Sequence, residues 1–351
     1  MAFNITKRMP TPEKVLENVP LPADVAELKK KLDKELANVI TGADKRFLVI
    51  IGPCSADNEE KVAEYTEKLA KVYARKEIKE KLFIVPRIYT GKPRTTGEGY
   101  KGVMHNPDPT KEETDMEEGI SAIRRMHIRC MKECGMLTAD EMLYPGNLPY
   151  CQDIVGYIAI GARSVENQQH RLTSSGIDGP VGMKNPTSGD LSVMFNAIKA
   201  AQSKHSFVYK DDQVETTGNP LSHAILRGSN DRQGRDIPNY HYEDLANAVV
   251  EYKKKSLQNP MIVVDVNHAN SGKKYKEQMR ITKDILHTRK NNIKYGDGEI
   301  AQFVRGLMIE SYLIEGRQDV TSSYTPGQSV TDPCLGFEDT EWLLEHIAEN
   351  V

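Results

Sequence analysis

Short β-branched or apolar runs alternate with longer amphipathic stretches through nearly the whole chain, and this rhythm restricts the fold more than any other feature. About eight runs can be read: 47–52 (FLVIIG), 82–86 (LFIVP), 136–139 (MLTA), 157–162 (YIAIGA), 180–183 (PVGM), 223–226 (HAIL), 261–266 (MIVVDV) and 306–309 (GLMI). Between them lie stretches with apolar residues at helical spacing, among them residues 59–76, 112–135, 192–204 and 242–258. Strands that alternate with helices form parallel sheets, and eight of them predict a (β/α)8 barrel. A doubly wound sheet would need fewer strands and a glycine-rich phosphate turn after the first, and GPCSADN at 52–58 contains no GxGxxG.

Residues 1–46 read as a helical arm, since Thr11 and Pro12 form an N-cap and N1 pair and residues 22–40 carry apolar positions at helical spacing. The barrel then occupies 47–351, interrupted near 206–219 by two short β-like runs around Asp211 and Asp212 that predict a hairpin. No apolar run is long enough to cross a membrane, and the first ten residues lack the apolar core of a secretory signal. Five cysteines, an odd number in a chain of 351 residues, argue against a disulfide framework and for a reducing compartment, so a cytoplasmic enzyme is expected. A net charge of −3 argues against nucleic acid as a partner, and attraction for anions must come from local placement of Lys and Arg.

That placement is visible at the strand ends. A parallel barrel gathers the C-terminal ends of its strands on one face, where chemistry is done. The eight runs are followed in order by Cys54, Arg87, Glu141, Arg163, Lys184, Arg227, His268 and Glu310. Turn residues would be small and neutral, so a succession of thiol, cation, imidazole and carboxylate points to a site. With Lys92 and Arg94 the cations number six, enough for a load of about five negative charges such as two phosphates and a carboxylate. Cys54, His268 and Glu310, with a loop carboxylate such as Asp332, form a mixed S, N, O, O donor set suited to manganese, iron, cobalt or zinc. Taken singly, Cys54 reads as a buried structural thiol and His268 as a core histidine. Cys130 and Cys134 share a helix face without a completing ligand pair, and His105 and His127 show no partner.

The strings IGPCS, PRIYTGKPRTT, GARSVENQ, PVGMKNPTSG, ILRG, VDVNHANSGK, MIESYLIEG and SVTDPCLGFEDT, in this order over residues 40–345, resemble the signatures of the type I alpha 3-deoxy-D-arabino-heptulosonate 7-phosphate (DAHP) synthases. The resemblance implies condensation of phosphoenolpyruvate with erythrose 4-phosphate and water, giving DAHP and phosphate, at the entry to the shikimate route. It also implies one divalent metal, manganese before iron, cobalt or zinc, held by Cys54, His268, Glu310 and Asp332. Arg87, Lys92, Arg163, Lys184 and Arg227, with the Ala162 amide, would contact phosphoenolpyruvate, and Arg94 and Thr95 the erythrose phosphate. Lys92, or alternatively a metal-bound water, would be the general acid, with Cys54 and His268 beside the reacting atoms and Glu141 and Asp265 as supporting carboxylates.

KPRTT argues against the sister synthases that take a longer sugar phosphate. Two further readings, a metal-dependent phosphatase or aldolase and a non-catalytic barrel, are weakened by the complete set of site residues. The arm implies a homodimer or homotetramer. The hairpin segment is several residues shorter than in feedback-regulated relatives, and MLYPGNLPY at 142–150 departs from their pattern, so weak or absent inhibition by an aromatic amino acid is expected.

Overall fold

The computed structural model describes residues 2–92, 94, 97–111, 113–320 and 323–351. Eight parallel strands form the centre: β1 (Phe47–Gly52), β2 (Leu82–Pro86), β3 (Ala139–Glu141), β4 (Tyr157–Ile160), β5 (Val181–Lys184), β6 (His223–Leu226), β7 (Ile262–Asp265) and β8 (Val304–Glu310). They are hydrogen-bonded in the order β2, β1, β8, β7, β6, β5, β4, β3. A parallel bridge between Arg87 and Ala139 joins the two outer members, with the Ile88 amide donating to the Ala139 carbonyl at 2.8 Å. The sheet is thereby a closed barrel, and the (β/α)8 architecture expected from the alternation is the one found. Both faces of each strand are covered, one by barrel filling and one by helices, which is why the runs read as continuously apolar.

The third run differs from its expected position. Met136 and Leu137 are buried, but the ladder with β4 pairs Ala139, Asp140 and Glu141. An apolar run reports burial rather than pairing, and the polar end of β3 is held by hydrogen bonds: Asp140 accepts from the Thr90 amide and hydroxyl. His127 also has partners, its Nδ1 lying 2.7 Å from Thr138 Oγ1 and its Nε2 3.4 Å from Asp140 Oδ2, so the sequence reading of an isolated histidine is corrected.

Helices Glu59–Tyr73, Met116–Cys134, Gln168–Ser174, Leu191–Ala201, Tyr242–Lys254, Glu277–Tyr295 and Phe337–Asn350 surround the barrel, and after β3 the shell is a 3-10 turn at Pro145–Tyr150. The N-terminal segment forms helices Pro12–Asn18 and Ala23–Thr41, the first capped by Thr11 accepting from the Lys14 amide. Two arginines fix it to the barrel. Arg124 is fully buried, donates to the Val19 and Tyr150 carbonyls and pairs with both oxygens of Asp153. Arg305 donates to the Val39 and Ile40 carbonyls in the last turn of the second helix, where Val39 also accepts from the Gly42 amide. The hairpin is present as an antiparallel pair, Ser206–Tyr209 with Asp212–Glu215.

Inside the barrel the small residue at 182 is required: a Cβ there would meet the Tyr157 hydroxyl at 2.2 Å and Ile225 Cδ1 at 2.5 Å. The Tyr157 hydroxyl is 2.8 Å from His223 Nε2, while His223 Nδ1 is 2.8 Å from the Leu221 carbonyl. A carbonyl can only accept, so Nδ1 carries the proton and Nε2 accepts from Tyr157, which fixes a neutral tautomer. Burial lowers the His223 pKa from 6.5 to about 4. The unfolded chain therefore binds a proton below pH 6.5 that the folded chain refuses until about pH 4. Folding stability should drop across this window by up to about 3 kcal/mol, and level off beneath it as far as this group is concerned. Urea unfolding of the wild type and His223→Gln at several pH values tests this; equal pH dependence in the two would contradict it.

Candidate active site

The C-terminal end of the barrel forms a cleft of about 130 Å³ bordered by Cys54, Arg87, Lys92, Arg94, Glu141, Ala162, Arg163, Lys184, Arg227, His268 and Asp332, together with Tyr89, Thr187 and Lys273. Residues separated by almost 280 positions converge here because strand ends are neighbours in a barrel. Gly52 pairs with Glu310 across β1 and β8, which brings the loop carrying Cys54 against the last strand. A Cβ at Gly52 would lie 2.3 Å from the Arg87 carbonyl oxygen, so the close approach needs glycine. Thr95 lies outside the described residues.

Cys54, Glu310 and Asp332 offer a sulfur and two carboxylate oxygens that all lie within 4.8 Å of one another. Lys92 Nζ sits among them, 2.7 Å from Cys54 Sγ and 3.1 Å from Asp332 Oδ2. His268 borders the cluster, with Nε2 3.7 Å from Glu310 Oε1 and Nδ1 2.8 Å from Asp265 Oδ2. Its φ of 44° is a left-handed conformation, uncommon for a residue with a Cβ, and it opens the short helix His268–Ser271. Glu310 is fully buried; its Oε2 accepts from Asn267 Nδ2, whereas Oε1, 3.0 Å from Arg87 Nη2, has no aligned hydrogen bond. An unsatisfied buried carboxylate oxygen beside a thiol and a second carboxylate is the arrangement a divalent cation completes. The donor chemistry fits the metal expected from the sequence.

Charge compensation explains the ionisation states. Burial pushes the Cys54 thiol up to about 11, aided by Glu310 and opposed by Lys92, so the sulfur is protonated at neutral pH until a cation displaces the proton. Burial alone would raise Asp332, but Lys92, His268 and Lys273 outweigh it and hold the carboxyl well below the usual range. Burial would likewise raise Glu310, and Arg87, His268 and Lys92 reverse the direction. Asp265, fully buried, accepts from Lys184 Nζ at 2.9 Å and faces His268; these cations overcome its burial and keep it ionised.

The remaining cations lack such matches. Arg227 is buried, leaves Nη1 without a hydrogen bond, and has its pKa lowered chiefly by burial, with Asp265 opposing the change and Arg163 adding to it. Arg163 is exposed at the rim, and among the described residues no carboxylate lies within 4.0 Å of either guanidinium. Among the described residues, the Arg94 side chain donates to the Tyr100 carbonyl alone, at 2.9 Å. A patch with more cations than carboxylates is set for an anionic occupant. Glu141, whose Oε1 would be 2.4 Å from a Cβ on Gly161, rests over the end of β4.

Sequence reasoning gave no role to several residues found here. Lys273 is 3.0 Å from Asp332 Oδ1 and has a φ of 58°; Asn267 fixes Glu310 from the same segment, within the string VDVNHANSGK. Gln278 brackets the Glu310 backbone, donating to its carbonyl at 2.9 Å and accepting from its amide at 2.8 Å. Its only signal is a polar side chain buried on a helix face.

Barrels of this kind work at this end, and the surplus of positive charge defines the class: an α/β-barrel enzyme acting on anionic small molecules. Comparison with known proteins narrows it. A model of the DAHP synthetase I family matches residues 21–345. A phospho-2-dehydro-3-deoxyheptonate aldolase of Haemophilus influenzae is 37% identical over 347 residues, covering 97% of this chain and 91% of that protein. A Trp-sensitive phospho-2-dehydro-3-deoxyheptonate aldolase of Escherichia coli is 36% identical over 348 residues, 97% of this chain and 94% of its own length. The solved structure of the Francisella tularensis phospho-2-dehydro-3-deoxyheptonate aldolase superposes with a TM-score of 0.89 at 34% identity, over 99% of this chain and 98% of that one. The chain belongs to the DAHP synthetase I family, and its activity is DAHP synthesis.

Arg87 and Glu310 form the most deeply buried ion pair of the site, at 2% and 1% side-chain exposure. Removing one partner of such a pair costs about 3–5 kcal/mol because the other charge stays buried. Arg87→Met should show a loss of this size in urea unfolding, whereas a loss below about 1 kcal/mol, as for exposed pairs, would contradict the assigned coupling.

Proposed function

We propose that the condensation of phosphoenolpyruvate with erythrose 4-phosphate takes place at this cleft, with one divalent metal bound by Cys54, His268, Glu310 and Asp332. The observation that carries this reading is the buried thiol and carboxylate cluster beside unmatched cations. When bound, the metal supplies Lewis-acid polarisation of the aldehyde oxygen. Manganese is our first choice and iron, cobalt and zinc the alternatives, since carboxylates suit the first and thiolate with imidazole the others.

Lys184, Arg163 and Arg227 hold the phosphate and carboxylate of phosphoenolpyruvate, with Arg87 and the Ala162 amide completing the pocket. Arg94 and Thr95 hold the sugar phosphate, and Glu141 limits the cleft on the β4 side. Fixing both anions brings C3 of the enol against C1 of the aldehyde, which lowers the entropic part of the barrier. As the C3–C1 bond forms, the aldehyde oxygen becomes an alkoxide and Lys92 delivers its proton there. Water adds at C2 and loses one proton, which restores Lys92, and the new C2 hydroxyl gives its proton to the departing phosphate as the C2–O bond breaks and the ketone forms. Lys92 suits this part because the Asp332 and Glu310 carboxylates, joined by the Cys54 sulfur once it is ionised, overcome its burial and keep it protonated. Asp265 keeps Lys184 and His268 oriented.

Phosphate release should require both substrates, stop on chelation with EDTA and return with added metal. Cys54→Ala should lower turnover at least about a hundredfold while leaving the circular dichroism spectrum unchanged. Phosphate released without the sugar phosphate would point to a phosphatase, and full activity in Cys54→Ala would remove the metal assignment.

Further proposals concern assembly and control. The N-terminal segment is taken as a subunit contact in a homodimer or homotetramer, supported by Phe3 and Ile5 at 89% and 84% exposure and by Val208 at 71% on the hairpin. Deleting residues 2–10 should lower the mass found by light scattering at equal concentration; an unchanged mass would refute this. A cytoplasmic location is supported by five unpaired cysteines, and no described helix is long and apolar enough to cross a membrane. The short hairpin supports insensitivity to phenylalanine, tyrosine and tryptophan. A cavity of about 710 Å³ bordered by Phe207, Tyr209 and Val214 still lies beside it, so inhibition by any of the three would overturn this reading.

A further inference from the structure

At the opposite, amino-terminal end of the barrel lies a separate cavity of about 850 Å³. Its wall includes the first residue of β1, Phe47, and the start of β8, and it is lined by Lys45, Arg46, Lys81, Arg289 and Arg305. The acidic groups facing these are Asp44, Glu80 and the terminal carboxylate at Val351. Arg46 is already matched, 2.6 Å from Asp44 and 3.0 Å from Glu35. Two guanidinium groups are not. Arg289 stacks on the Phe47 ring at 4.7 Å and makes one long hydrogen bond, 3.5 Å from Nη2 to the Ala301 carbonyl. Its Nε is buried without a partner, and among the described residues Nη1 makes no hydrogen bond. Arg305 donates to three carbonyls, those of Val39, Ile40 and Pro260, and also leaves a buried Nε unsatisfied. Among the described residues no carboxylate lies within 4.0 Å of Arg289, Arg305, Lys45 or Lys81.

Two half-buried guanidinium groups that repel each other, without a neutralising acid, are costly unless an anion shares the space. Burial, then the charge of Arg305, pulls the Arg289 guanidinium down to about 10. A structural role alone explains Arg305, which donates to the end of the helix Ala23–Thr41, but it leaves Arg289 and Lys81 with no carboxylate partner among the described residues. The volume suits a metabolite rather than a lone ion.

We propose that the amino-terminal end of the barrel is a second anion-binding site, with Arg289 and Lys81 as its recognition groups, for a small molecule bearing a phosphoryl group or clustered carboxylates. The planar guanidinium presents paired donors to such oxyanions, and the Phe47 ring holds it in place. The site is independent of the catalytic cleft.

Isothermal titration of the full-length protein with inorganic pyrophosphate, and separately with citrate, tests the proposal and distinguishes phosphoryl from carboxylate ligands. The active-site variant Arg163→Gln is titrated in parallel, so that loss of the cleft and loss of this site are distinguishable. Saturable binding retained in Arg163→Gln and weakened about tenfold or more in Arg289→Gln is expected, equivalent to loss of one charge-assisted contact. Lys81→Gln, at an exposed position that does not endanger folding, should weaken it several-fold. Equal affinity in the wild type, Arg289→Gln and Lys81→Gln, binding lost only in Arg163→Gln, or no saturable binding of either probe would overturn it.

Discussion

Glu310 ends β8 as a carboxylate with no access to water, and such a group persists only when positive charge surrounds it. Arg87 comes from the end of β2, His268 from the end of β7 and Lys92 from the loop after β2, while Gln278 and Asn267 hold its backbone and Oε2. The positions of four barrel segments thus follow from neutralising one charge. The same cations depress Asp332, and Lys92 is drawn to the Cys54 sulfur. An ammonium sits among the donors where a divalent ion would carry more charge.

The barrel makes this convergence cheap in conformational terms. Each group sits one to a few residues beyond a laddered strand, so its backbone is ordered by the fold before any substrate binds. Closure through the single bridge between Arg87 and Ala139 matters for the same reason, because it sets β2 beside β3 and carries Arg87 toward Glu310. Local strain is accepted where placement demands it, as at His268 with its positive φ. Far from the cleft, at the other end of the strands, Arg289 and Lys81 again lack a carboxylate partner among the described residues, which suggests that one scaffold presents two separate anion-binding faces.

Much of this was legible from the chain alone, and the reasons differ by element. Strands buried on both faces announce themselves as apolar runs, so seven of the eight lie within two residues of their expected ends. The third failed because Met136 and Leu137 are buried without pairing, while Asp140 and Glu141 pair despite their polarity. Strand-end chemistry was readable because the barrel converts order in sequence into adjacency in space. Partners that depend on side-chain reach were not: Lys273 against Asp332, Gln278 behind Glu310 and the His127–Asp140 contact come from tertiary packing that no spacing rule encodes. The donor group of Cys54, Glu310 and Asp332 was readable from strand-end placement and again from resemblance, but its compactness depends on side-chain reach that spacing does not encode.

The central claim is that Cys54 is a metal ligand within this cluster, and cobalt reports it without relying on turnover. A cobalt–thiolate bond absorbs in the near ultraviolet by charge transfer from sulfur, so titrating the metal-free protein with cobalt(II) reads the ligand directly. The account predicts a saturable charge-transfer band in the wild type that disappears in Cys54→Ser. An identical cobalt spectrum in both proteins would contradict it.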